Sequence, residues 1–116
     1  MDKEKKIEEL AFKIAELLKE HGCHIDVAIY FSGKRLTTFE GKKPYGEWEL
    51  QEGYKASNIT EYANNDTITM TFEGSFYSVI NYGTDRELFR KFNELLQSYG
   101  YYYEQGNAWN LALYEL

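Results

Sequence analysis

The apolar residues of this chain recur at two spacings, near 3.6 and 2, and the switches between them divide it into elements. From residue 3 to 21, Ile7, Leu10, Ala11, Ile14, Leu17 and Leu18 fall on one helical face. Asp2 stands where a capping carboxylate belongs, and Gly22 where a helix ends in the left-handed region. Residues 24–31 change to period two. Ile25, Val27, Ile29 and Phe31 take one side, and His24, Asp26, Ala28 and Tyr30 the other. Ser32-Gly33-Lys34 marks a hairpin. A turn at Gly33-Lys34 would pair Phe31 with Leu36 and Tyr30 with Thr37, a register that keeps the apolar residues together.

Residues 40–66 carry weaker signals. The stretch 47–51 alternates and predicts a strand with Trp48 and Leu50 inward. Asn58 and Glu61 have capping-box spacing, which predicts a helical turn over 59–64. Next, 67–73 and 76–82 alternate on either side of Gly74-Ser75, a pair suited to a type II′ turn, and so predict a second hairpin. Thr84 and Glu87 form a capping box for a helix over 84–99. Its stripe is Leu88, Phe89, Phe92, Leu95, Leu96 and Tyr99, and Gly100 closes it. A last hairpin turning at Gly106-Asn107 would put Tyr102, Trp109, Leu111 and Leu113 on the packed side, leaving Tyr101, Tyr103 and Tyr114 on the other. The order α-β-β-(β)-β-β-α-β-β predicts an α+β fold. The expected form is a two-layer sandwich, with a mainly antiparallel sheet and two helices on one face, in a single domain over 1–116.

Period two gives every strand a second face. Here it would collect Asp26, Ala28, Tyr30, Thr37, Phe39, Thr69, Thr71, Phe76, Ile80 and Ala112 with the three tyrosines just named. That is little charge for a solvated surface. Either the strand propensity of Thr and Tyr accounts for it, or something covers it. The cover would be residues 40–66, a partner protein, or a second copy of the chain in a homodimer.

Composition narrows the function. The formal net charge is −6, and the acidic excess lies in residues 44–83, where Lys55 is the only cation. Bare phosphate backbones are therefore not the expected partner, and nucleic acid is disfavoured. Lys34, Arg35, Lys42 and Lys43 form the one basic cluster. The single Cys23 forbids an internal disulfide. With no secretory leader and no long apolar run, a cytoplasmic protein without membrane association is expected.

No motif carries catalytic chemistry. His21, Cys23, His24 and Asp26 are metal-ligand types, but a zinc site needs four converging donors and these straddle a helix end and a strand start. A terminating helix and a small buried thiol explain them better, and no metal or cofactor is assigned. Neighbours on a strand point to opposite faces, so Cys23 and His24 cannot form a nucleophile pair. No carboxylate, including Glu104 opposite Trp109, stands in an apolar setting that would mark a general acid.

What remains fits recognition. Eleven tyrosines supply stiff amphipathic contact area, and the carboxylates suit a basic surface. The expectation is a small acidic, non-enzymatic protein that stoichiometrically inhibits or neutralises a basic protein partner, in the manner of immunity or anti-defence proteins. Its binding residues would be Glu47, Trp48, Glu49, Glu52, Tyr54 and Tyr62, with Tyr101 and Tyr103. The alternative is a small-molecule-binding or enzymatic domain. Its pocket would lie at the second sheet face, with His24, Asp26 and Tyr30 as its polar groups.

Overall fold

Asp2 does cap the first helix, accepting the Lys5 N–H at 2.9 Å, and α1 runs Lys3–Glu20 in a computed structural model that describes residues 2–116. Its stripe of Ile7, Leu10, Ala11, Ile14 and Leu18 is buried. The chain then forms β1 (Val27–Phe31) and β2 (Lys34–Thr37). Their turn is Ser32-Gly33, with φ of 49° and 73°, as a type I′ hairpin requires. Ile29 pairs with Leu36 and Phe31 with Lys34. This register differs from the predicted one by an even shift, so each residue keeps its face. After β3 (Glu49–Glu52) and β4 (Ile68–Phe72), the chain ends in β5 (Tyr101–Asn107) and β6 (Asn110–Glu115). The sheet order is β3-β2-β1-β4-β6-β5, and every pairing is antiparallel. No helix among the described residues is long and apolar enough to cross a membrane.

The α+β architecture holds, but the predicted second hairpin does not. Residues Gly74–Tyr82 form a helix, α2. The reason is topological: β4 has β1 on one edge and β6 on the other, which leaves no edge for a hairpin partner. Phe76, Val79 and Ile80 also satisfy helical spacing, and all three are buried. Phe76 therefore joins the core, edge-on to Phe72 (5.2 Å between ring centroids) and to Phe92 (5.4 Å). Helix α3 (Arg86–Ser98) is capped by Asp85, not Thr84. The Asp85 carboxylate accepts the Leu88 N–H at 3.0 Å and the His21 ring nitrogen at 3.0 Å, tying the end of α1 to the start of α3.

The last hairpin turns at Ala108-Trp109, with a bulge between Gln105 and Asn107. Two asparagines make that turn. Asn107 Oδ1 accepts the Trp109 N–H, and Asn110 Oδ1 accepts the N–H groups of Gly106 and Asn107. The register consequently moves by an odd number, which turns β5 over. Tyr103 lies opposite Leu113, and Tyr101 enters the helix-side core at 1% exposure. Tyr102 and Tyr114 are left facing each other on the second side.

Residues 53–67 cover that second side. Gly53 and Tyr54 donate their N–H groups to Gly33 O. Ala56 then packs on Ala28 and Tyr30 within a 3₁₀ turn, Ala56–Asn58, which precedes the predicted 59–64. The loop folds back on itself through two hydrogen bonds between Ser57 and Asn65. Asn64 Nδ2 and Thr67 Oγ1 both donate to Leu113 O, and the buried Asn110 donates to Thr60 Oγ1 at 3.0 Å. Tyr62 lies so close over Gly106 that a Cβ there would collide with it. Strand β1 is thus buried at all five positions. A homodimer pairing through this face would have to displace the loop.

Asn110→Ala should therefore free two turn N–H groups and loosen the loop together, costing about 1–3 kcal/mol in urea unfolding. Asp85 gives a pH signature. Its backbone bond to Leu88 and its bond to His21 hold its carboxyl below the ordinary value. The stability it supplies is present above its unfolded pKa, near 3.9, and is lost as pH falls through the depressed folded value. Asp85→Asn should flatten the acid limb of a plot of urea midpoint against pH.

Candidate functional site

Three exposed apolar side chains from three separate segments surround one cavity on the loop-covered side of the sheet. Phe39 (36% exposed) comes from the β2–β3 connection. Ile59 (44%) comes from the covering loop, and Trp109 (40%) from the β5–β6 turn. The cavity holds about 320 Å³ and is also lined by Asp26, Tyr30, Arg35, Glu40, Thr71, Phe72 and Glu73. The β1–β4 ladder supplies its floor, because Tyr30 and Thr69 pair there and leave Thr71 one step along the same face. Apolar walls with a few convergent polar groups are the usual makeup of a binding site, and this volume lies at the lower end of the ligand-pocket range.

Arg35 is the most constrained charge in the molecule. It is 4% exposed, its Nε and Nη2 donate to Gln51 Oε1 at 2.9 and 2.6 Å, and Nη2 reaches Glu40 at 3.3 Å. Its guanidinium lies 3.8 Å from the Tyr54 ring centre and 6.0 Å from that of Tyr30. Burial pushes its pKa down, but contacts with Tyr30, Tyr54 and Glu40 outweigh this and hold it above its ordinary value. Asp26 is a second constraint. It is a non-glycine residue at φ 61°, and its Oδ1 accepts the Tyr45 hydroxyl, whose pKa that bond raises. Backbone strain of this kind costs on the order of 1–3 kcal/mol and concentrates at working sites.

The residues expected to bind a partner do not share a surface. Trp48 packs on the helix side and donates its indole N–H to Ala15 O at 3.1 Å, while Tyr54 stacks on Arg35 across the sheet. Glu49 is structural. It accepts the N–H groups of Lys42 and Lys43 at 2.8 Å each and the Gln51 amide, and these bonds lower its pKa. Glu47 is exposed on the loop before β3, and Glu52 is exposed on the edge strand opposite Lys34. Tyr62 is exposed above Gly106. Tyr101 and Tyr103 face the helices, and burial raises both hydroxyl pKa values.

Of the alternative trio, Asp26 and Tyr30 line the cavity and His24 does not. His24 keeps a buried Nδ1 without a partner, while its backbone oxygen accepts the Thr38 hydroxyl. His21 is engaged by Asp85, and the Cys23 thiol, raised by burial and then by Asp85, contacts His21 O. Among the described residues, no group of three or more His, Cys, Asp or Glu side chains is placed to hold a metal ion.

Several cavity residues escaped sequence reasoning. Strand parity does place Arg35 beside Tyr30, but its basic neighbours disguised it as part of a surface patch. Glu73 stands at the end of the strand predicted over 67–73, and Trp109, expected inward by alternation with Leu111 and Leu113, lies in the turn itself. No protein-family model matches this chain, and no curated protein or solved structure resembles it at a significant level.

Arg35→Ala should destabilise the fold by about 1.5–3 kcal/mol in urea unfolding, since it removes charged hydrogen bonds and the Tyr54 stack. Arg35→Lys should recover only part of that, because an ammonium lacks the planar fork.

Proposed function

We propose that this protein is a non-enzymatic recognition domain that neutralises a basic protein partner stoichiometrically, and that it does so through the cavity ringed by Phe39, Ile59 and Trp109. One observation carries the reading. Exposed apolar side chains from three segments converge on a depression that also holds Asp26, Glu40 and Glu73, with Arg35 as its single cation. Apolar anchors at a concave centre with acidic surroundings are what a basic surface needs for tight, selective docking. The overall charge of −6 would speed that encounter and make it salt-sensitive.

The edge strand β3 fits this view as a guarded edge. Glu49 and Glu52 stand on it and Glu47 precedes it, which discourages pairing with another acidic copy. Immunity and anti-defence proteins are the kind of neutraliser that the composition matches.

A second reading is favoured by one specific feature: Asp26 and Tyr30 do line a half-open site of ligand size. A small cationic ligand held there would raise the melting temperature in a concentration-dependent way, independent of any protein partner.

The test is capture from the native lysate with tagged wild type beside Trp109→Ala and Glu52→Ala. Basic proteins should be retained by the wild type and by Glu52→Ala and lost with Trp109→Ala, with retention falling as salt rises. Capture that ignores Trp109, or that selects acidic proteins, rejects the proposal.

A further inference from the structure

Asp26 and Glu73 meet at the end of the β1–β4 ladder, one step beyond the Val27–Phe72 pair, where Glu73 donates its N–H to Asp26 O at 3.0 Å. Two carboxylates so placed repel each other. The N-terminus of α2, which begins at Gly74, offsets part of that repulsion. No ion pair to either residue occurs among the described residues. Tyr45 occupies Oδ1 of Asp26, which leaves Oδ2 and both oxygens of Glu73 as acceptors beside the cavity.

We propose that this corner of the cavity takes an arginine side chain of the basic partner, its guanidinium bound by Asp26 and Glu73 and its plane set against the exposed rings of Phe39 and Trp109. The proposal rests on the cavity being the binding surface argued above, and names the group it recognises. Charge complementarity selects a cation, because Arg35 is already matched by Glu40 and Gln51 and leaves the other two carboxylates uncompensated. Geometry selects arginine over lysine. A guanidinium is planar, weakly hydrated and carries five donors, so it can stack on an aromatic ring while bonding two carboxylates. An ammonium is a compact, strongly hydrated point charge that gains less from exposed rings. The same fold already holds one guanidinium this way, with Arg35 stacked on Tyr54 at 3.8 Å beside an acidic and an amide acceptor.

Three peptides identical except for a central arginine, lysine or citrulline should be titrated into the full chain and followed by NMR amide and indole shifts. The arginine peptide should give saturable shifts at Asp26, Thr71, Glu73 and the Trp109 indole. The lysine peptide should bind about tenfold more weakly, and citrulline should leave these signals in place. Glu73→Gln, at an exposed position that leaves folding intact by circular dichroism, should weaken the arginine peptide about tenfold, while Glu52→Gln should not. Equal binding of lysine and arginine peptides at the cavity overturns the guanidinium assignment and leaves the basic-partner reading standing. Equal binding of citrulline overturns both, because charge then plays no part. Saturable shifts elsewhere, with Asp26 and Glu73 silent, overturn the assigned site.

Discussion

Burial of the central strands β1, β4 and β6 on both faces is the constraint on which the rest of this structure depends. One face is covered by helices, which satisfy their own backbone. The other is covered by a loop, which does not, so every buried polar group of residues 53–67 and of the strands beneath needs a partner from elsewhere. Asn110 meets much of that requirement. From a position 1% exposed, its side chain accepts two turn N–H groups and donates to Thr60, while Asn64 and Thr67 close the other limb on Leu113 O. The loop is held by polar chemistry at its ends and by Ala56 on Ala28 and Tyr30 in between.

The candidate site follows from how that cover stops. The loop reaches across the sheet as far as Ile59, and the cavity opens beyond it, where Asp26 and Glu73 follow the buried ends of β1 and β4 between Phe39 and Trp109. The strained Asp26, the buried Arg35 and the carboxylate of Glu73 all belong to this uncovered corner. A fold that sealed its second face completely would have no concave surface there. One left bare would expose Tyr30 and Ala28 to solvent, with the aggregation risk of an apolar sheet.

How much could be read from the residues depends on whether the signal was local. The capping carboxylate of Asp2, the stripes of α1 and α3, the first hairpin and the alternation in β1, β4 and β6 are all set within a few residues, and the structure contains them, with the hairpin turning one residue earlier than expected, at Ser32-Gly33. The stretch Phe76–Tyr82 satisfies both periods, so its state was decided by which edges of β4 were free. The face of Tyr101 and Tyr103 hung on the bulge between Gln105 and Asn107: moving the turn two residues to Ala108-Trp109 is an even shift that keeps every face, and the bulge makes the shift odd. An odd error there exchanges core and surface for an entire strand. The cavity draws on residues spread from Asp26 to Trp109, and no spacing rule links them.

The sequence alone therefore determined the α+β class, the antiparallel strands and the helix-side core apart from Phe76, Ile80 and Tyr101, because period and capping are properties of neighbouring residues. Tertiary structure decided that 74–82 is a helix, that residues 53–67 cover the second face, and which tyrosines meet water. These depend on contacts between residues far apart in the chain, where a free edge, a bulge or one buried asparagine chooses between alternatives that local preference leaves equal.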